Sequence, residues 1–431
     1  MKKNVLTALA LLLGCGAFAQ SRIKHVVLIT VDGFRPDFYQ QAKWEAPNLK
    51  QLVKEGVQAN GVNSVFPSMT YPSHTAIVTG VQPITHGIYY NDRFDPTGKG
   101  SVGNYWQDSS IHVPTLWSVL HGKGMKVASL YWPVSAGAPV DYNIPDIGGR
   151  GVAVRDENSI PVNFAQEMHQ TLAGKGHSGD VHTADIAAYL IEKEAPALIT
   201  MHLFAVDHAE HVTGREGEMV HEAIAEADEA VGIVKAALQK KGIWDSTLLI
   251  VTGDHGFVDV HTTFNPNNCL QQAGLLNNRE KGDWKAQFNY SGGSAWLYLK
   301  DANDKASLAA ATKALKALPD SVQRYFRIID RKQLDKIGAN PQVVLALTAE
   351  NNAAFGGKPE EPAVASGKGG THGYFPDFHN IQTGFIAVGS GIKKGATVQE
   401  FNLRDIAPIV AKALGISFPT AQGKVPAGIF E

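Results

Sequence analysis

Three unbroken runs of mainly apolar, often branched residues, at 23–31, 197–206 and 247–252, break off at acidic or imidazole side chains: Asp32, Asp207 and the pair Asp254 and His255. Such runs, alternating with segments of helical period, are the pattern of a doubly wound α/β sheet. In an open α/β sheet the ligand crevice lies beyond the carboxyl ends of the strands. Three segments far apart in the chain are therefore expected to converge on one crevice. Helices are read at about 47–56, 72–79 (closed by Gly80), 115–121, 181–193, 218–240 and 405–414, with further strands at 126–131 and 384–388. Residues 277–369 break the rhythm with turn-rich sequence and a few elements of their own, at 294–299 and 308–315. They are read as a small inserted α+β subdomain on a core formed by 20–276 and 370–431.

The first 19 residues read as a secretory signal peptide rather than as part of the fold. Lys2 and Lys3 precede an apolar stretch, and Ala17-Phe18-Ala19 supplies an A-x-A cleavage site. A competing reading, a lipoprotein signal with Cys15 acylated, fits less well because Leu13 is poorly suited and an apolar strand follows within a few residues. A periplasmic or secreted enzyme is expected, without a transmembrane anchor, since no later segment offers the ~20 consecutive apolar residues a membrane helix needs. With Lys+Arg 39 against Asp+Glu 41 and no block of like charge, a stable nucleic-acid complex is not expected. The chain has 16 His but only 2 Cys, so a bound metal must be held by nitrogen and oxygen.

Taken singly, the polar residues at the strand ends are ambiguous. Asp32, in VDGFRPD, reads as a ligand or as a loop acceptor. Asp207 and His211 are spaced i, i+4, which on one helical turn aims both side chains the same way. Asp254 and His255 lie between Gly253 and Gly256, where a tight turn lets neighbouring side chains converge, and His372 sits in a similar glycine-rich turn leading to a strand. Together they make three carboxylates and three imidazoles, which divide into two sites of three with open positions, as catalytic zinc requires. Thr70, two residues before Pro72, would place a hydroxyl at the positive end of a helix, where free N–H groups suit a phosphate oxyanion. Thr70 or Ser68 serving only as a helix cap fits the composition equally well.

The order VDGFRPD, NSVFPSMTYPSHTAIVTG with HGIYYN, DHAEHVTG, TGDHGF and THGY closely resembles the nucleotide pyrophosphatase/phosphodiesterase family of the alkaline phosphatase superfamily. The resemblance implies an alkaline-phosphatase-like doubly wound, mostly parallel central sheet with helices on both faces. It implies a hydrolase with two zinc ions (Zn²⁺), one held by Asp207, His211 and His372 and the other by Asp32, Asp254 and His255, with Thr70 joining the second as nucleophile of a phospho-threonine intermediate. Asn91 would hydrogen-bond a phosphate oxygen. The Tyr71 backbone N–H could assist, and its ring, where the family usually has Phe, could stack on a planar group. Tyr131, Trp132 and Tyr142 are further stacking candidates. The expected substrate is a small phosphate ester, a nucleotide or another diester. The alternatives are a phosphomonoesterase or phosphonate hydrolase of the same superfamily, with Arg35 and Arg93 as the charges able to reach the site, and more remotely a non-catalytic phosphate-ester binding protein.

Overall fold

Strand β1 (His25–Val31) has Val27, Ile29 and Val31 in one apolar cluster and Val26 and Leu28 in another. A strand covered on both faces cannot alternate polar and apolar residues, which is why its sequence is a continuous apolar run. The computed structural model describes residues 23–99, 102–357 and 362–431, so the leader read at 1–19, with Cys15, lies outside the described residues. After β1 the principal elements are α1 (Pro47–Glu55), β2 (Val57–Ala59), α2 (Thr70–Thr79), α3 (Leu116–His121), β3 (Val127–Leu130), β4 (Tyr142–Ile144), α4 (Gly179–Lys193), β5 (Leu198–Leu203), α5 (Ala205–Thr213), α6 (Glu218–Lys241) and β6 (Thr247–Thr252). There follow β7 (Ala286–Ser291), β8 (Ser294–Leu299), α7 (Lys305–Lys316), β9 (Phe326–Ile329), β10 (Leu345–Ala349), β11 (Phe385–Gly389), β12 (Ala396–Val398) and α8 (Ile406–Leu414).

The main sheet has the order β12-β2-β11-β6-β1-β5-β3-β4. Its central strands β6, β1, β5, β3 and β4 are mutually parallel, while β11 runs antiparallel to both β6 and β2. Helices α1, α4 and α6 cover one face and α2, α3 and α8 the other. The mostly parallel, doubly wound α/β architecture is thus present, with an antiparallel strand that apolar composition alone does not distinguish. A second sheet, β7-β8-β10-β9, is wholly antiparallel. Its apolar cluster includes Ala311 and Leu315 of α7 and extends from Val258 to Ile381, taking in Cys269, Leu270 and Tyr374 on either side of 277–369.

Two boundaries depart from the sequence reading in ways that shape the site. The run at 197–206 is not one strand: β5 ends at Leu203 and α5 begins at Ala205. The buried carboxylate of Asp180, in the first turn of α4, accepts the N–H groups of Phe204 (2.9 Å) and Ala205 (3.1 Å), ending the strand and starting the helix. Helix α2 begins at Thr70, not Pro72. The first N–H groups of a helix lack intrahelical partners, so proline is tolerated in its third position as well as its first.

Candidate active site

Asp32 directly follows β1, Asp254 and His255 follow β6 one residue on, and α5 leaves the end of β5 carrying Asp207 and His211. His372 comes just after the two-residue strand Gly370–Thr371, and the next strand after it is β11. All six residues meet beyond the carboxyl ends of the parallel strands. One ligand atom from each of Asp32, Asp254 and His255 lies within 4.8 Å of the other two, and the same holds for Asp207, His255 and His372. His255 thus belongs to both groups. Its Nε2 lies 3.1 Å from Asp254 Oδ2 and 3.3 Å from Asp32 Oδ1, and its ring stacks on that of His372 at 3.7 Å. His211, the most exposed of the six, reaches the cluster through Asp207 Oδ1, 3.4 Å from its Nε2.

The imidazoles share one arrangement. Nδ1 of His211, His372 and His255 faces the carbonyls of Gly370 (3.0 Å), Ser68 (3.0 Å) and Gly256 (3.3 Å) respectively. A carbonyl can only accept, so Nδ1 donates and Nε2 of each ring is left facing the carboxylates. Asp32 Oδ1, Asp207 Oδ1, Asp254 Oδ2 and His255 Nε2 are all buried without a hydrogen-bond partner. Lone pairs of carboxylate and imidazole facing one another in a dry pocket are reconciled by a cation. A divalent ion that favours nitrogen and oxygen fits this donor set. Burial, reinforced by the Asp207 charge, pushes Asp254 up to about 8. Burial, opposed by His211 and His208, takes Asp207 to about 6, and burial with the Asp254 charge holds Asp32 well above the usual carboxylate range.

The glycines around Asp254 and His255 serve close packing. A Cβ on Gly253 would lie 2.2 Å from Thr383 Oγ1, and one on Gly256 would lie 2.4 Å from the carbonyl oxygen of Asn380 and 2.7 Å from that of Gln382. Backbone cannot yield cheaply, so Gly256→Ala is expected to lower stability by about 1–3 kcal/mol in urea unfolding. An unchanged midpoint would show that the turn has slack.

Thr70 is the half-buried first residue of α2, and its neighbours tie it to the cluster. The Ser68 carbonyl holds His372, and His74 Nδ1 donates to the Thr70 carbonyl at 2.8 Å while lying 3.7 Å from Asp254 Oδ2. Asn91 Oδ1 accepts the Tyr71 backbone N–H at 2.9 Å, which leaves the Asn91 amide NH₂ as the donor of that pair and withdraws the Tyr71 N–H from the role expected of it. The Tyr71 ring is buried among Ile88 and Val134, with its hydroxyl donating to Asp146 Oδ2 at 2.8 Å. Tyr71→Phe is therefore expected to cost about 1–3 kcal/mol of stability by leaving the Asp146 oxygen unpaired. Thermal melts and turnover measured together would check this, with kcat changing by less than about threefold because the ring remains.

Arg35, Trp132 and Tyr142 are held in ion-pair or packing roles elsewhere in the fold. The Arg35 guanidinium is buried away from phosphate, 2.8 Å from Glu210 Oε1 and 3.2 Å from Asp37 Oδ2, and this pair pins the loop after β1 to α5. Arg93 donates to Ser110 and lies over the Tyr105 ring. Trp132 is wholly buried, edge-on to His74 and Trp117, and Tyr142 packs on Phe164, so both are packing residues. Tyr131 is half-buried, facing the exposed Phe204 edge-on. Sequence reasoning passed over His74, His202 and Asp180. Of these only His74, one helical turn after Thr70, carried a visible signal.

The family model for type I phosphodiesterase / nucleotide pyrophosphatase matches residues 26–375. Ectonucleotide pyrophosphatase/phosphodiesterase family member 7 of Rattus norvegicus is 23% identical over 423 residues, covering 95% of this chain and 88% of that protein. Member 7 of Mus musculus is 26% identical over 263 residues, an alignment spanning 59% of this chain and 55% of the mouse protein, so there the chain matches about half the length of its relative. Bis(5'-adenosyl)-triphosphatase enpp4 of Xenopus laevis is 23% identical over 406 residues, covering 91% of this chain and 78% of that protein. Among solved structures, an inactive form of murine ectonucleotide pyrophosphatase/phosphodiesterase 5 in complex with AMP superposes with a TM-score of 0.68 at 18% identity, covering 94% of this chain and 97% of that one. The human protein 5 gives 0.67 at 19% identity, with 91% and 95% covered. The structural likeness establishes the alkaline-phosphatase-like fold.

Proposed function

Because the chain belongs to the type I phosphodiesterase / nucleotide pyrophosphatase family, we propose that it is an exported, zinc-dependent hydrolase of phosphodiester or pyrophosphate bonds that works through a phospho-threonine on Thr70. The observation that carries the reading is the set of bare, buried oxygen and nitrogen lone pairs beyond the parallel strands, beside the N-terminus of α2. Asp32, Asp254 and His255 would hold one zinc and Asp207, His211 and His372 the other, with His255 close enough to His372 to serve either. The chemistry bound zinc supplies is a lowered pKa for a hydroxyl and neutralisation of charge on phosphate oxygens.

The chain's own groups do the rest. Thr70 Oγ1 releases its proton to solvent and forms a bond to phosphorus as the ester or anhydride oxygen departs on the opposite side and takes a proton from solvent. Water then displaces Thr70, restoring its hydroxyl and giving net retention at phosphorus. The Asn91 NH₂ binds a phosphate oxygen throughout, assisted by the Thr70 N–H at the start of α2, the Tyr71 and Ser73 N–H groups being taken by Asn91 Oδ1 and the Met69 carbonyl. The substituent is placed in a cleft of about 410 Å³ between the core and the second sheet, lined by residues including Met69, Arg93, Arg279, Tyr290 and Trp296. Arg35, one of the two charges that would favour a monoester, is consumed by Glu210, which favours a diester over the phosphomonoesterase or phosphonate hydrolase reading. The AMP bound to the murine neighbour makes a nucleotide ester the first substrate to try. Export follows the leader at 1–19. No helix among the described residues is long and apolar enough to cross a membrane.

The test is a side-by-side comparison of turnover on a nucleoside diester, a dinucleoside pyrophosphate, a lysophospholipid and a phosphomonoester, with zinc present. The highest kcat/KM on one of the first three is expected; a preference for the monoester would overturn the reading.

A further inference from the structure

Behind the cluster runs a second set of polar groups, wholly buried between the main sheet and α2. Thr30 and His202 are register partners on the adjacent strands β1 and β5, and His74 descends onto them from α2. His74 Nε2 lies 2.9 Å from Thr30 Oγ1, and Thr30 Oγ1 lies 3.0 Å from His202 Nδ1. The far end of the chain of contacts, His202 Nε2, is 3.3 Å from Asp32 Oδ2. The near end is His74 Nδ1 on the Thr70 carbonyl.

The direction of these bonds follows from one fixed end. The Thr70 carbonyl can only accept, so His74 donates through Nδ1 and its neutral ring offers a bare Nε2. The Thr30 hydroxyl donates to that nitrogen in preference to the Met201 carbonyl, which is farther away at 3.3 Å. Thr30 Oγ1 then accepts from His202 Nδ1–H, and His202 Nε2 is left bare against Asp32. Each ring is wedged in place: His74 edge-on to Trp132 (4.8 Å) and His202 (4.2 Å), and His202 edge-on to Phe204 (4.2 Å). Apolar side chains would fill this layer at lower desolvation cost, so its polarity calls for a reason beyond packing.

We propose that Thr30, His74 and His202 are positioning residues, a hydrogen-bonded strut that sets the Thr70 end of α2 in register with the ends of β1 and β5, the first of which leads directly into Asp32. None of the three touches substrate. The inference rests on the function proposed above for its choice of assay, and outer partners of metal ligands typically contribute 10–100-fold to activity or metal affinity. The strut thus ties the nucleophile to the ligand set, two parts that local sequence does not connect.

Thr30→Val removes the central hydroxyl at nearly constant volume. It is expected to lower kcat on bis-p-nitrophenyl phosphate about 10- to 100-fold with KM within about twofold, and to weaken zinc about tenfold in competition with a chromophoric chelator. His202→Leu should do the same, while His202→Asn, whose amide NH₂ can replace Nδ1–H toward Thr30, should recover to within about threefold of wild type. Unchanged kcat and zinc affinity in a cooperatively melting Thr30→Val, or His202→Asn no better than His202→Leu, would overturn the proposal. If Thr30→Val does not fold, the two His202 variants decide. If the wild type hydrolyses no diester, the functional reading fails, and the zinc competition alone decides the strut.

Discussion

Thr70→Ala is expected to lower kcat for diester hydrolysis by about a thousandfold or more while leaving the fold and the zinc content in place. Removing an attacking hydroxyl eliminates the covalent route itself, whereas the ligand set and the α2 N-terminus continue to bind phosphate. The contacts that hold Thr70 run through its backbone carbonyl and through Ser68, Tyr71 and His74, all of which the substitution spares. KM should therefore stay within about an order of magnitude. Retained turnover with intact zinc would remove Thr70 from the mechanism. Lost turnover with lost zinc would recast it as a structural ligand.

Metal removal has the second large effect, and its pH dependence has a definite sign. In the metal-free protein burial raises Asp254 to about 8 and Asp207 to about 6, above the ~3.9 of an unfolded aspartate. The native state then holds protons that the unfolded chain has released. The stability associated with these groups is fully present below about pH 4 and is lost as pH rises through 6 and 8. The slope reaches about 1.4 kcal/mol per pH unit for each proton held. Bound zinc keeps the carboxylates ionised and removes that slope, so chelation should destabilise the protein far more at pH 8 than at pH 5. At a thousandfold excess of metal over Kd, stabilisation of about 4 kcal/mol is expected. Denaturant titrations with and without chelator across this range would show it; parallel pH profiles would contradict the ligand assignment. Activity should vanish with the metal and return with zinc at about two per chain.

The core of this account was legible in the sequence because its evidence is local. Apolar runs buried on both faces announce themselves, and so do acids and imidazoles placed where those runs stop, which is why Asp32, Asp207, Asp254 and His255 could be named before their geometry was known. The i, i+4 spacing of Asp207 and His211 works as read because α5 forms there, yet the start of α5 depends on Asp180, a carboxylate from another helix. Contacts of that kind arise when segments distant in the chain pack together and have no local signature. The same holds for Thr30 with His202 and for Arg35, whose charge looked available until Glu210 met it. The reversed direction of β11 also escapes, because strand direction leaves no mark on composition.

The central claim is a two-step displacement through Thr70. Hydrolysis of a chiral phosphorothioate diester in isotopically labelled water tests it most directly, because stereochemistry reports the number of displacements whether or not an intermediate accumulates. Two in-line steps predict net retention at phosphorus. Net inversion would mean that water attacks the substrate directly and would contradict the phospho-threonine.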